Sequence, residues 1–261
     1  MKKPFILITN DDGVASKGIL ALTQLAREFG EVAVIAPDKS CSGMSHAITM
    51  YHPLFATEVD LGQDYPVYSC NGTPVDCIKL ALDELFLDRQ PDLIISGINH
   101  GSNSNISVIY SGTMGAASEG AVCGITSIGL SLTDHSIDAD FTPAVHYGRI
   151  VIDWVLGMEE SVRQGMCLNV NVPDIPLQDI KGMRVCRQTR GCWHEKFVKR
   201  VDPQGRAYYW MSGEFYNDDP DKEQTDDWGL GNAYVTIVPV QMDLTDYARI
   251  DTLKSLLPGK E

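Results

Sequence analysis

Residues 6–13, ILITNDDG, join a hydrophobic segment directly to two adjacent carboxylates. The run of apolar residues and a threonine predicts a buried β-strand. Asp11 and Asp12 follow Asn10 at the end of that strand, and a glycine then gives the backbone freedom to turn. Adjacent side chains point to opposite faces within a strand, but this constraint lapses beyond its end. We therefore expect Asp11 and Asp12 to converge.

Strand and helix patterns alternate along the first 176 residues. The predicted strands are residues 5–9, 32–36, 67–70, 92–97, 126–132 and 167–173. The predicted helices cover residues 17–29, begin at Thr73 and at Ser111 or Thr113, and run from Thr142 to about Leu156. Short links between such elements indicate a mostly parallel sheet with helices on both faces, an α/β fold. Residues 47–64 interrupt the alternation and are β-prone, which suggests a hairpin excursion.

The pattern changes after residue 176. Residues 196–213, KFVKRVDPQGRAYYWMSG, contain two β-like runs around a turn signal and predict a hairpin. Residues 234–240 predict one more strand, and residues 245–257 a terminal helix. We expect a single domain over residues 1–261, with a core at 1–176 and a hairpin arm and closing elements at 177–261.

The composition excludes several classes of protein. The net charge of −14 argues against an extended nucleic-acid surface or an anionic membrane partner. No stretch reaches the roughly 18 apolar residues of a membrane span, and the N-terminus lacks a signal-peptide pattern. The seven cysteines are odd in number and form no Cys-x-x-Cys pair, which is typical of free thiols in a reducing compartment. We expect a cytoplasmic protein.

Polar residues collect where the predicted parallel strands end. NDDG follows the first strand, APDKSCSG the second, and INHGSNSN the strand that begins at Asp92. Ligands of open α/β sheets bind at this edge. Converging carboxylates repel each other unless one is protonated or a cation lies between them, and a set of hard oxygen ligands suits Mg²⁺, Mn²⁺ or Ca²⁺. NDDG alone is also ordinary turn chemistry, so the metal site depends on the other segments.

The segment YSGTMGAA adds a predicted phosphate site, because glycines at a helix start expose backbone N–H groups to which the helix dipole attracts anions. No Gly-x-x-x-x-Gly-Lys-Ser/Thr loop is present, and no Gly-x-Gly-x-x-Gly follows the first strand. The sequence therefore does not support an ordinary P-loop ATPase or a dinucleotide-binding enzyme.

Six ordered motifs together resemble the SurE family of acid-type 5′/3′-nucleotidases, from Ile6 to about Tyr247. They are ITNDDG, APDKSCSGMSHAIT, NGTPVDC, DLIISGINHGSN, YSGTMGAA and YVTIVPVQMDLTDY. The resemblance implies a Rossmann-like three-layer sandwich and a metal-dependent phosphohydrolase of nucleoside monophosphates. It also implies a C-terminal arm that joins subunits into a homodimer or homotetramer.

The same resemblance implies the site residues. Asp11 and Asp12 would be both catalytic and metal ligands, with Ser42 and Asn99 completing the set around one divalent ion per subunit, Mg²⁺ or Mn²⁺ first among the candidates. The phosphate or substrate pocket would be lined by Asn10, Asn71, Ser111, Gly112 and Thr113. Cys41 stands before the ligand serine where a polar residue is usual. In the family, the segment with Thr225 and Asp226 lies near the active site.

The interpretation is a hydrolase of nucleoside 5′- and 3′-monophosphates, with short polyphosphate as a possible side substrate. The nucleophile is either a water deprotonated by Asp11 or Asp12 or one of these carboxylates. The rival from another class is a non-catalytic nucleotide or metal sensor on the same fold, for which an Asp-Asp pair would be a hindrance. An exopolyphosphatase would favour a basic channel, and the only strongly basic stretch is HEKFVKR on the predicted arm.

Overall fold

A nine-stranded sheet runs through the centre of the protein, whose computed structural model describes residues 3–60 and 62–258. Its strands in chain order are β1 (Phe5–Thr9), β2 (Glu31–Pro37), β3 (Ala56–Glu58), β4 (Val67–Cys70), β5 (Leu93–His100), β6 (Ser127–Leu132), β7 (Cys167–Val172), β8 (Met183–Val185) and β11 (Val235–Val240). A separate two-stranded sheet contains β9 (Gly191–Val201) and β10 (Ala207–Asn217).

The helices connect these strands. They are α1 (Lys17–Ala26), α2 (Pro74–Leu80), α3 (Gly112–Val122), α4 (Thr142–Leu156), α5 (Glu160–Arg163), α6 (Asp226–Gly231) and α7 (Tyr247–Leu256). Short 3₁₀ turns at Asn105–Ile109 and Leu177–Asp179 and a π-helical turn at Ala81–Leu85 complete the set. No described helix is both long and apolar enough to cross a bilayer.

The sheet has the order β3-β4-β2-β1-β5-β6-β7-β11-β8. The six strands from β4 to β7 are mutually parallel, and β1 lies between β2 and β5. The chain therefore builds outward from β1 in both directions, so the strand order reverses between β1 and β5. In open α/β sheets, ligands bind in the crevice at such a switch point, outside the carboxyl ends of the strands.

The alternation of side chains along β1 separates two hydrophobic layers. Ile6 and Ile8 pack with the apolar residues of α1 and α4, whereas Phe5 and Leu7 pack with those of α2 and α3. Helices therefore cover both faces of the sheet, and the predicted three-layer α/β architecture is confirmed. All five residues of β1 are buried, which explains why the sequence reads as a continuous apolar run.

The last third of the chain contributes to the same sheet. β11 pairs antiparallel with β7 and parallel with β8. Eleven residue pairs join β9 to β10, and Trp193, Tyr208 and Trp210 on this arm are exposed. The predicted hairpin is present, and its aromatic residues face outward.

Two predicted elements differ in extent. Helix α1 ends at Ala26 rather than at residue 29, because the chain tightens into a turn in which Phe29 N–H donates to Ala26. Within the described part of residues 47–64, the β-prone sequence yields only β3, which pairs antiparallel with β4 at the sheet edge.

Candidate active site at the carboxyl edge of the sheet

Asp11 lies two residues after the end of β1 and is buried against the start of α3. Thr113 Oγ1 donates a hydrogen bond of 2.5 Å to Asp11 Oδ1. A side chain at Gly112 would place its Cβ 2.9 Å from Asp11 Cβ and 3.0 Å from Oδ2, closer than real Cβ atoms approach. Glycine at position 112 therefore allows the carboxylate to lie against the first turn of α3.

Asp12 is half-buried beside it, and its Oδ2 is buried without a hydrogen-bond partner among the described residues. Burial raises the pKa of Asp12 above its ordinary value, and the adjacent His100 partly opposes that rise. Burial also raises the pKa of Asp11, against the hydrogen bond from Thr113, and the nearby charge of Asp12 adds to the rise. Both ionised carboxylates are thus disfavoured by the protein alone, which a bound cation would reverse.

Asn10 holds the loop that presents the two aspartates. Its Nδ2 donates to the Gly13 carbonyl at 3.0 Å and to Ser16 Oγ at 2.7 Å, and its Oδ1 accepts from the Gly13 N–H at 3.1 Å. Ser16 in turn caps α1. These bonds engage the whole amide in the turn, and a direct contact of Asn10 with substrate stays a prediction.

Asn99 comes from the neighbouring strand β5, across the switch point. Its Nδ2 donates to the Gly101 carbonyl at 2.8 Å, so its Oδ1 is the end that is left for a ligand. Helix α1 can pass close to this strand because residue 18 is glycine. A Cβ at that position would lie only 2.1 Å from the Ile98 carbonyl oxygen, which is too close.

Ser42 lies in the loop that follows β2. The Cys41 N–H donates to the Asp11 carbonyl at 2.7 Å, which brings this loop to the end of β1. Ser42 is exposed, and its Oγ lies 3.0 Å from Ser40 Oγ. The structure thus places Ser42 in a loop anchored at Asp11, with its hydroxyl near another hydroxyl.

The remaining predicted pocket residues separate into two groups. Ser111 caps α3, where its Oγ accepts from the Met114 N–H at 3.0 Å, so it lies beside Gly112 and Thr113 next to Asp11. Asn71 instead ties down the segment before β3, since its Oδ1 accepts from the Phe55 N–H at 2.8 Å and its Nδ2 donates to the Pro53 carbonyl. Its predicted contact with substrate is untested.

The donor set fits a divalent cation. Across residues 3–60 and 62–258, no three side chains drawn from His, Cys, Asp and Glu cluster closely enough to hold a metal ion. Ligands beyond Asp11 and Asp12 would have to be neutral oxygens, as Asn99 and Ser42 offer. Asp12 Oδ2, which has no donor among the described residues, is the observation that favours a cation, because a buried carboxylate oxygen without a donor is costly.

A second aspartate pair, Asp226 and Asp227, holds the loop after β5. The family resemblance pointed to the segment with Thr225 and Asp226, but the sequence indicated no role for either aspartate. Asp226 Oδ2 accepts from the Asn105 N–H at 2.9 Å, and its Oδ1 accepts from the Thr189 N–H and hydroxyl at 2.8 and 2.6 Å. Asp227 Oδ1 accepts from Ser104 Oγ at 2.9 Å. The start of α6 thereby fixes residues 104–105, which lead to the α3 start.

Known proteins resemble this chain over nearly its whole length. The sequence model of the family described as survival protein SurE matches residues 6–195. The chain belongs to the SurE family. Proteins named 5′-nucleotidase SurE from Christiangramia forsetii and Phocaeicola vulgatus are 49% and 47% identical to it, each over 97% of both chains. The crystal structure of the SurE protein from Aquifex aeolicus superposes with a TM-score of 0.81 at 35% identity, covering 97% of this chain and 99% of that one.

Two histidines flank the SurE motifs in different ways. His46 lies at 2.8 Å from Glu119 Oε2 on α3, and Lys79 of α2 binds the other oxygen of Glu119 at 2.6 Å. His100 packs its ring edge-on against Phe141, 5.0 Å between centroids, and adjoins Asp12. His46 therefore ties its loop to α3, whereas His100 lies beside a predicted ligand. The only feature of the sequence that pointed to this difference is that His100 lies at the end of a predicted strand.

Proposed function

We propose that this chain is a divalent-metal-dependent phosphatase that hydrolyses nucleoside 5′- and 3′-monophosphates to nucleoside and phosphate. Relatives that share nearly half of its residues over 97% of both chains are named 5′-nucleotidase SurE. The observation in this chain that carries the proposal is Asp12 Oδ2, which is buried beside Asp11 at the switch point of the sheet without a hydrogen-bond partner in residues 3–60 and 62–258.

The proposed metal ligands are Asp11, Asp12, Ser42 and Asn99, with Mg²⁺ or Mn²⁺ as the ion. The ion, when bound, supplies positive charge that attracts the phosphate and stabilises the leaving oxygen. This local charge is needed because the chain as a whole carries −14 and would repel an anion. Thr113 holds Asp11 in place through Oδ1, so the direction of that carboxylate is fixed before substrate arrives.

The start of α3 is the proposed phosphate site. The helix has eleven residues, and its first N–H groups have no partner within the helix. Ser111 Oγ accepts one of them, from Met114, and the Thr113 N–H donates to the Asp11 carboxylate, which leaves the Gly112 N–H to donate to a phosphate. Gly112 also matters here because it has no side chain that would block the approach of a phosphate beside Asp11.

Two routes remain open for the attacking group. Either Asp11 or Asp12 takes the proton from an attacking water, or one of the carboxylates attacks phosphorus itself. Rapid acid quenching during turnover distinguishes them, because only the second route leaves a phosphorylated aspartate that peptide mass spectrometry can locate.

Release of inorganic phosphate from a panel of substrates tests the function. The panel comprises 5′- and 3′-nucleoside monophosphates and short polyphosphate, each with Mg²⁺ or Mn²⁺ and with excess chelator. We expect metal-dependent release from the nucleotides. Binding of nucleotide without any release would favour the sensor instead, and full activity after exhaustive chelation would remove the metal from the mechanism.

The arm formed by β9 and β10 supports a further proposal, a homodimer or homotetramer. A two-stranded hairpin alone is marginal in water, and Trp210 on this one is 66% exposed. Sedimentation at micromolar concentration should show no monomer. Trp210→Glu should produce smaller species, whereas Lys199→Glu on the facing strand should not. A wild-type protein that sediments as an active monomer would refute the assembly.

Two broader proposals concern the chain as a whole. We propose that residues 1–261 act as one phosphatase domain, because β11 near the C-terminus lies in the same sheet as β1. We also propose that it works in the cytoplasm, which is consistent with seven cysteines that are all free.

A further inference from the structure

An exposed aromatic side chain immediately precedes the proposed phosphate site. Tyr110 is the residue before Ser111, the cap of α3, and it is 48% exposed. No ring contact or hydrogen bond of its phenol is found within residues 3–60 and 62–258. A large aromatic group that is exposed next to a binding site, without a partner in its own chain, calls for an explanation.

The backbone beneath this ring is held on two sides. The Tyr110 N–H donates to the Ser107 carbonyl at 3.0 Å as the 3₁₀ turn ends, and the Tyr110 carbonyl accepts from the Ser45 N–H at 3.0 Å. Ser45 Oγ also donates to the Ile109 carbonyl at 2.6 Å. The backbone that carries the ring is therefore fixed, so binding a ligand has to order only the side chain.

Further apolar groups lie on both sides of this junction. Ile109 is 50% exposed and Met44 is 46% exposed. The loop that carries Met44 is anchored to Asp11 through Cys41 at one end and to Tyr110 through Ser45 at the other. An apolar surface thus begins at the edge of the proposed metal and phosphate site.

We propose that Tyr110, flanked by Ile109 and Met44, is the surface on which the base of a nucleotide substrate stacks. This inference rests on the proposed phosphatase function and adds what selects its substrate. Two residues span at most about 7 Å, so Tyr110 lies close to a phosphate at Gly112, and the ribose holds the base at a comparable distance from its phosphate. Stacking tolerates any base because every base has a flat aromatic face.

The test compares two phosphate esters that share a ribose and differ by the base, adenosine 5′-monophosphate and ribose 5-phosphate. In Tyr110→Ala, the ratio of kcat/KM for the nucleotide to that for the sugar phosphate should fall by between about 5- and 150-fold, the range for loss of one stacked base. The loss should appear mainly in KM. Tyr110→Phe and Tyr110→Trp should keep the ratio, because both retain an aromatic ring.

Trp154→Ala is the matched control, since Trp154 is 42% exposed on the outer side of α4. It should leave both substrates unchanged. Calorimetry with adenosine gives a readout that does not depend on turnover: wild-type protein should bind adenosine more tightly than Tyr110→Ala does, and ribose should not compete.

Other outcomes overturn the inference in distinguishable ways. Equal losses on both substrates in Tyr110→Ala, with smaller species on sedimentation, would make the surface a subunit contact instead. A wild-type ratio near one would refute base recognition while leaving the phosphatase intact. Absence of phosphate release from either ester, in the wild type with metal, would refute both proposals.

Discussion

Two pairs of adjacent aspartates differ in how the protein satisfies their carboxylates. Asp11–Asp12 follows β1 and Asp226–Asp227 begins α6, and in each pair the first residue is buried and the second half-buried. Both oxygens of Asp226 accept hydrogen bonds from the protein. Asp12, by contrast, keeps a buried Oδ2 without a partner among the described residues.

The difference shows how the same dipeptide serves two purposes. A buried carboxylate must be stabilised by donors or by a counter-charge. Asp226 finds its donors in Asn105 and Thr189, so its pair functions as an internal clamp. Asp12 Oδ2 has no donor among the described residues, so the Asp11–Asp12 pair is the one that can bind a cation. Whether nearby hydrogen-bond donors satisfy the carboxylate oxygens therefore distinguishes a structural aspartate pair from one that is available to bind a ligand.

The largest expected difference between the two pairs is in activity. Asp11→Asn and Asp12→Asn should each lower kcat/KM for nucleotides by about 10²–10³-fold, the scale of losing one electrostatic group in an active site. The melting temperature of the metal-free Asp12→Asn protein should not fall, because burial already disfavours the charge of Asp12 and its Oδ2 has no donor to lose among the described residues. Steady-state assays and calorimetry measure the two. Asp83→Asn, on an exposed side chain, is the control, and near-normal turnover in either variant at saturating metal would sink the site.

Stability should respond to the other pair. Asp226→Asn places an amide N–H₂ against donors and should lower the free energy of unfolding by about 2–4 kcal/mol. For a chain of this size, that is a drop of roughly 5–15 °C in melting temperature. Thr189→Val removes one donor and should cost about 1 kcal/mol. Thermal unfolding checks both, and an Asp226→Asn protein of wild-type stability would contradict the clamp.

A bound metal ion should stabilise the protein through the Asp11–Asp12 pair and not through Asp226–Asp227. An ion that binds the native state at ten times its Kd stabilises by about 1.4 kcal/mol. Titration of Mg²⁺ or Mn²⁺ into the wild type should therefore raise the melting temperature. The rise should persist in Asp227→Asn and vanish in Asp12→Asn. An equal rise in all three proteins would place the ion elsewhere.

The smallest effect concerns pH and Asp227. Burial raises the pKa of Asp227, the charge of Asp226 adds to the rise, and hydrogen bonds from Asn105 and Ser104 oppose it. A raised folded pKa means that the wild type loses stability as pH rises from about 4, the unfolded value, through the folded value. Asp227→Asn lacks this loss, so relative to wild type it should be more stable at pH 7 than at pH 4. Denaturant unfolding at both values measures it, and a difference that is independent of pH would contradict the assignment.

Much of the fold follows from local sequence. The helix start predicted at Thr73 is confirmed, and the structure shows a capping box there, with Thr73 Oγ1 accepting from the Asp76 N–H and Asp76 Oδ2 accepting from the Thr73 N–H. The continuous apolar strands and the helix from Thr142 to Leu156 are also found where they were predicted. Such signals act within a few residues of the chain, so a single sequence is enough to identify them.

The extents that were missed depend on contacts from elsewhere. Whether the β-prone stretch before residue 64 forms one strand or two depends on the edge that β4 offers. The end of α1 likewise depends on the turn that delivers the chain to β2.

The sequence by itself determined the strand that leads to Asp11 and Asp12, the alternation that makes a parallel sheet, and the glycine-rich start of α3. These depend on residue type and spacing along one segment. Only the tertiary structure decided which buried aspartate oxygen lacks a donor among the described residues, that Gly112 lies against Asp11, and that Tyr110 is exposed beside the proposed phosphate site. Each of these depends on a contact between residues about a hundred positions apart or on the absence of neighbours over a side chain. Neither can be deduced from the spacing of residues along the chain.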